Sequence, residues 1–243
     1  MYKKFIYFIL NIFFSDKFIK NKAVVLMYHS VDDKRQPFSV GLKNFERQMN
    51  YLKINNFNVI SQKDLFACIV NKKIPSKTVV ITFDDGYRDN YLKVFPIIKN
   101  LNFPITIFAT SSLVEGESSS GAEMLKLQDI NEMQTSGLVE FGSHSHNHVK
   151  LSHLTEDEVN FEMLESKTEL KKIVNSEVIS VAYPFGRYND MVKRVAKKYY
   201  SYGFSVEKGI ISVDSDLMSM RRNCIDCNTS FIQFKGIVRY GRL

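Results

Sequence analysis

Six short apolar runs of strand character, at 23–28, 78–83, 105–109, 139–142, 178–183 and 223–226, alternate with stretches of helical periodicity. That alternation narrows the fold to an α/β arrangement around a mostly parallel sheet, because a parallel strand pair needs a crossover and the crossover is usually a helix. The intervening stretches supply such helices. Residues 42–54 set Phe45, Met49 and Leu52 at helical spacing, and Ser61 opens a second, shorter helix ending near Val70. Residues 89–100, 125–137 and 189–200 carry the same period. Thr155 and Glu158 form a capping box for a long helix, predicted to place Phe161, Leu164, Thr168 and Ile173 on one side. The Ser- and Gly-rich stretch 115–121 is a loop. With no internal repeat and no linker, 21–243 is expected to be one domain around one core, preceded by a leader at 1–20.

Polar residues suited to catalysis fall just after the strand runs. His29 follows Val-Val-Leu-Met-Tyr, Asp84 and Asp85 follow Val-Val-Ile-Thr-Phe, and His144 follows Val-Glu-Phe-Gly-Ser. Parallel strands in a barrel end on one face, where barrel enzymes build their sites, so residues distant in sequence can converge there. Asp84 and Asp85, with Gly86 permitting a tight exit, offer two carboxylates pointing different ways; Asp-Asp-Gly is also an ordinary solvated turn. His144, His146, His148 and His153 lie within ten residues, and His144 and His148, four apart, would be neighbours on a helical turn able to share one metal. A surface histidine cluster is the alternative. Together, one carboxylate and two imidazoles make a three-ligand set with open positions, which suits a catalytic metal rather than a closed structural one. Such an ion lowers the pKa of water enough to yield a nucleophile near neutral pH, which is hydrolase chemistry.

At these residues the chain resembles a known family. Thr82-Phe83-Asp84-Asp85-Gly86 and Ser143-His144-Ser145-His146-Asn147-His148 look like the first two motifs of the polysaccharide deacetylase (NodB-homology, carbohydrate esterase 4) family. Tyr183-Pro184-Phe185-Gly186 is similar to the third, and Leu26-Met27-Tyr28-His29-Ser30-Val31 to the opening of the branch containing poly-N-acetylglucosamine deacetylases. The similarity spans roughly 23–226. The resemblance implies a distorted (β/α)7 barrel and a divalent metal, usually zinc, held by Asp85, His144 and His148. It implies Asp84 as general base, an oxyanion contact from the Phe185 backbone N–H beside Tyr183 and Pro184, and an N-acetylated glycan or lipid-linked sugar as substrate.

Two departures stand out. No histidine follows His153, so the family's late Leu-x-His motif is missing, and the resemblance passes the general-acid role to His29. Ala182 stands where many members carry the arginine that orients the catalytic aspartate; Arg221 or Arg222 is expected to substitute. His146 and His153 read as supporting or structural. An amidase acting on another N-acylated substrate and a non-catalytic carbohydrate-binding member of the fold stay open.

Lys and Arg outnumber Asp and Glu by 33 to 26, a formal charge of +7, yet the excess is spread out with no Arg-rich stripe, which argues against nucleic acid and suits an anionic membrane or acidic glycan. Lys3 and Lys4 precede an apolar run from Phe5 to Phe14, too short for the ~20 residues of a spanning helix. It is expected to act as an uncleaved anchor or short interfacial helix at a membrane surface, which favours a membrane-associated or envelope location, with the cytoplasmic face as the alternative. Cys68, Cys224 and Cys227 are too few for a disulfide framework, and the lone Cys-x-x-Cys reads as neighbours on a strand and turn. Nothing in the sequence sets an oligomeric state, and substrate choice rests on loops such as 31–41 and 115–121.

Overall fold

A computed structural model describes residues 21–33 and 37–241, so the leader expected at 1–20 lies outside the described residues. The chain opens with β1 (Lys22–Tyr28) and two dipeptide strands, β2 (Ser30–Val31) and β3 (Ser39–Val40), which pair in parallel. Helix α1 (Leu42–Ile54) leads through β4 (Asn58–Val59) to α2 (Gln62–Val70) and β5 (Thr78–Phe83). Then come α3 (Phe95–Leu101), β6 (Ile105–Ala109), α4 (Leu127–Thr135) and β7 (Val139–Ser143). The long α5 (Glu156–Ile173), β8 (Ser180–Ala182), α6 (Asp190–Tyr199) and β9 (Tyr202–Phe204) follow. The last elements are β10 (Ile211–Ser212), β11 (Asn223–Cys224) and α7 (Phe231–Tyr240).

The other strands join one curled sheet in the order β10-β1-β5-β6-β7-β8-β9, with β4 added to β5 and β11 to β1. All pairings in it are parallel except β1 with β10, where Lys22 faces Ser212 and Ala23 faces Ile211. The segment from Met220 to Ile225 seams the two edges. Met220 exchanges backbone hydrogen bonds with Gly203 and Ser205 beside β9, while the Ile225 N–H donates to the Met27 carbonyl on β1. The sheet therefore curls into a single α/β domain of the expected class.

Side-chain alternation sorts the core into two layers. Val24, Leu26 and Tyr28 of β1 face outward under the helices with Phe45, Met49 and Leu52 of α1. Ala23 and Val25 face inward with Val80, Phe108, Ala182 and Phe204, and Leu65 and Ile69 of α2 close the lower end of that interior. The period of two also decides where Asp84 goes. Counting up β5, Val80 and Thr82 face inward, so the next residue but one faces inward as well.

Two local expectations change. The helix predicted over 89–100 is a π-turn at Asn90–Val94 followed by α3, because Pro96 supplies no N–H to the ladder and the chain must re-enter helix around it. On α5 the buried stripe is Val159, Glu162, Met163, Ser166 and Leu170, whereas Phe161 and Leu164 are exposed. A polar interior contact outranks the apolar pattern there. The capping box of Thr155 and Glu158 does form.

Candidate active site

Each strand end delivers one functional group to the same face. Asp84 leaves β5 with its N–H bonded to the Tyr28 carbonyl, so the first carboxylate is tied to β1 and drops into the sheet interior, 2% exposed. Asp85 then adopts φ 73° and Gly86 φ 86°. This left-handed pair swings the second carboxylate out of the interior and over the rim, a conformation that glycine accepts freely and aspartate only at a cost.

His144 continues β7 and faces inward. Its Nδ1 donates to the Ala182 carbonyl at 2.8 Å, which leaves Nε2 with its lone pair turned toward Asp85. His148 arrives by a different route from the one its spacing suggested. Residues 144–150 form no helical turn; Ser145 and His148 take φ 62° and 53°, and the doubled left-handed loop folds the second imidazole back beside the first. Asp85 Oδ1 lies 3.4 Å from Nε2 of His144 and 3.2 Å from Nε2 of His148, and the three ligand atoms fall within 4.8 Å of one another.

The fit to a cation is tested by one atom. Asp85 Oδ1 is buried and makes no well-formed hydrogen bond, while both neighbours offer imidazole nitrogens. A buried oxygen left so is costly unless something else binds it. Burial alone would raise the Asp85 carboxyl, but the imidazoles against it and the nearby His29 outweigh burial and hold it well below the usual carboxylate range. His144 responds in reverse: burial would lower it, and Asp84 and Asp85 win and raise it. The donor set of two nitrogens and one carboxylate oxygen suits a divalent ion with open positions.

Asp84 is gripped from below. Arg222, fully buried, donates from Nη1 to Oδ1 at 2.6 Å and from Nη2 to Oδ2 at 2.8 Å, and its Nε donates to the Ser205 carbonyl at 3.0 Å. The guanidinium lies against Phe108 and Phe204, beside the small Ala182. Desolvation would raise Asp84, yet Arg222 outweighs it, with help from His144 and His29, and keeps the carboxyl ionised. The fork takes one lone pair on each oxygen. The others remain available.

Of the two arginines expected to orient Asp84, the neighbouring Arg221 does not reach it. It projects outward and pairs loosely with Glu207 at 3.7 Å, because adjacent residues on an extended segment face opposite ways. Arg222, buried under Asp84, also has no face toward a substrate. Tyr183 is removed from the substrate surface too: it is buried, with its hydroxyl donating to the Met218 carbonyl at 2.8 Å, and Pro184 is buried beside it. Phe185 is the group of that turn that reaches the rim. It has φ 57°, is 53% exposed and lies 4.6 Å from the His148 ring.

His29 stands across the site from Phe185, its ring 5.1 Å from Phe38. Its Nδ1 is buried without a hydrogen-bond partner, and its backbone carbonyl accepts from Asn90 Nδ2. Burial lowers its pKa, with Asp84 and Asp85 pulling the other way. A cleft of about 530 Å³ opens beside it, lined among others by Phe38, Asp85, Tyr87, Arg88 and Asp89.

Two supports went unnoticed in the sequence. Glu162, reaching in from α5, accepts the His146 and Asn147 backbone N–H groups on Oε2, both at 2.9 Å, and Asn147 Nδ2 on Oε1 at 2.8 Å. It holds the left-handed loop in shape. Tyr87 sits at the Asp85 carboxylate, and burial plus that negative charge push its phenol up. His146 braces the loop from the other side through Ser111 Oγ at 2.9 Å, and exposed His153 lies in the short helical turn Leu151–His153.

Comparison with known proteins gives a family and a fold. The family described as polysaccharide deacetylase matches residues 71–202. A Bacillus subtilis protein named as a polysaccharide deacetylase, YxkH, is 32% identical over 203 residues, covering 83% of this chain and 70% of its own. The poly-beta-1,6-N-acetyl-D-glucosamine N-deacetylase of Staphylococcus aureus is 28% identical over 224 residues, covering 82% and 77%. Among solved structures, the Streptococcus pyogenes deacetylase PplD in complex with acetate superposes with a TM-score of 0.80 at 29% identity, covering 91% of this chain and 99% of that one.

Proposed function

Since the chain belongs to the polysaccharide deacetylase family of hydrolases, we propose that it removes N-acetyl groups from an amino-sugar glycan with the help of a divalent ion, zinc being the first candidate. The observation that carries this reading is the convergence of Asp85, His144 and His148 beside a second carboxylate that does not join them. A bound ion would supply Lewis-acid polarisation of the reacting groups. Everything else falls to the chain itself.

Asp85, His144 and His148 would hold the ion, and the commitment of His144 Nδ1 to Ala182 keeps the right nitrogen free for it. Asp84, ionised and clamped by Arg222, would take the proton of the attacking water on a lone pair the fork does not use. His29 would give a proton to the leaving amine; its orphaned Nδ1 and its place on the cleft wall support that role. The Phe185 N–H would donate to the developing oxyanion, in a turn whose next two N–H groups bond to the Tyr183 and Pro184 carbonyls. The Streptococcus pyogenes relative is described with acetate, the product this reading requires.

The test is acetate release from a panel of N-acetylated glycans, β-1,6- and β-1,4-linked oligomers and lipid-linked acetamido sugars, after chelation and readdition of single metals. Release that returns with one or two divalent ions, and an Asp84→Asn enzyme slowed by about 10²–10⁴ with metal content unchanged, are expected. Release that survives chelation, or an Asp84→Asn enzyme as fast as the parent, would overturn the reading.

A further inference from the structure

Several lysines scattered in sequence meet in the fold at the sheet end opposite Asp85. Helices α1, α2 and α3 each run to the strand starts, and there Lys53 and Ile54 close α1, Val70 closes α2 and Lys99 sits in the last turn of α3. Lys72, Lys73 and Lys77 fill the loop that leads into β5. Lys53 Nζ donates to the Leu101 carbonyl, joining the ends of α1 and α3, and Lys72 Nζ donates to the Val213 carbonyl and meets Asp214 at 3.2 Å. Lysine in a last helical turn is favoured by the helix dipole, which accounts for Lys53 and Lys99. It does not account for the loop lysines, nor for two aliphatic side chains held out among them, Ile54 at 78% and Val70 at 62% exposure.

Lys22 begins β1 at this same end, opposite Ser212. The residues preceding it in sequence carry the apolar run Phe5 to Phe14 between Lys3, Lys4 and Lys17. Among the described residues no helix is long and apolar enough to cross a membrane. Cations ringing protruding aliphatics, at the end where an apolar and lysine-flanked stretch joins, are the composition of a surface that lies on anionic lipid.

We propose that this end of the barrel docks on an anionic phospholipid bilayer, the lysines over the headgroups and Ile54 and Val70 entering the interface, with the Asp85 end turned away. One strand length, roughly 20 Å at about 3.3 Å per residue, then separates lipid from the metal-ligand cluster. If the deacetylase reading holds, the substrate is a glycan standing off the membrane rather than a sugar joined directly to its lipid carrier; the docking itself does not depend on that reading.

Vesicle co-sedimentation of the full chain tests it, with phosphatidylglycerol-containing and pure phosphatidylcholine vesicles at two salt concentrations. Each lysine near an anionic surface strengthens partitioning about fivefold, so Lys72→Gln, Lys73→Gln and Lys77→Gln together lower it about a hundredfold. A control triple with the same charge change elsewhere, Lys43→Gln, Lys126→Gln and Lys208→Gln, changes it less than about threefold. Far-UV circular dichroism and metal content unchanged in both triples show that the fold survives. Equal losses in the two triples, equal binding to neutral vesicles, or competition by soluble polyaspartate as effective as by vesicles would each overturn the proposal.

Discussion

The two halves of the active site are built on different principles. Asp84 and His144 sit at the ends of β5 and β7 and Arg222 on the seam that closes the sheet, all three buried, with Asp84 held by Arg222 and His144 by the Ala182 carbonyl of β8. His29 has a buried imidazole nitrogen without a partner, and the phenyl groups flanking the site, Phe38 at 55% and Phe185 at 53% exposure, belong to loops. The inner half fixes charge by ion pairing in a dry environment. In the outer half, charge is set by how well a loop covers it, which leaves room for substrate to replace that cover.

The sharpest way to break the contrast is Arg222→Met. It leaves the Asp84 carboxylate buried without its counter-ion, at a cost of about 3–5 kcal/mol in unfolding free energy by urea titration. The double variant with Asp84→Asn recovers much of that loss. The pH dependence has a definite sign. In the parent, Arg222 holds Asp84 below its unfolded pKa, so this stabilisation is complete above about pH 4 and is lost as pH falls through the folded value. In the variant, burial raises the carboxyl, so protonation favours the folded state and the stability gap closes on acidification. A gap that stays constant from pH 7 to 3 would mean that Arg222 acts by packing alone.

Glu162→Ala tests whether the loop bearing His148 needs its buried carboxylate. Metal affinity by chelator competition is expected to weaken about 10–100-fold, with Glu162→Gln intermediate. Leu170→Ala on the same helix should lower melting temperature without changing metal affinity. If both variants weaken metal binding in proportion to their loss of stability, Glu162 is a packing residue and nothing more.

The smallest effect belongs to the outer half. Phe38→Ala uncovers His29 and relieves the burial that lowers its pKa. If His29 donates in its protonated form, as proposed, activity falls as pH rises through its pKa, so the alkaline limb of the kcat profile moves to higher pH. A limb that moves down or stays fixed would remove His29 from the acid role.

Asp84, Asp85 and His144 were legible because they follow strand runs directly, where backbone alternation leaves little choice of position, and His148 because four histidines crowd into ten residues. The route by which His148 arrives was not legible, since spacing of four is equally compatible with a helical turn and with a loop through two left-handed residues. Arg221 and Arg222 could not be separated either; which of two adjacent residues faces inward depends on how the Met220–Ile225 segment seams the sheet, a long-range pairing. Glu162 left a faint trace, a carboxylate inside an otherwise usable apolar stripe, and it was overlooked because Phe161 and Leu164 offered a more apolar face. Helix α7 was missed although Ser230 and Gln233 form a capping box ahead of it, and β9 is too short to announce itself.

Arg222 lies 138 residues beyond the aspartate it serves, on the last part of the sheet to be laid down. On the proposed mechanism, a nascent chain would carry its Asp85, His144 and His148 cluster well before Asp84 gains its counter-ion, and hydrolysis would wait until the closing strand has been made and seated. Catalytic competence would then be, by construction, a readout of finished folding.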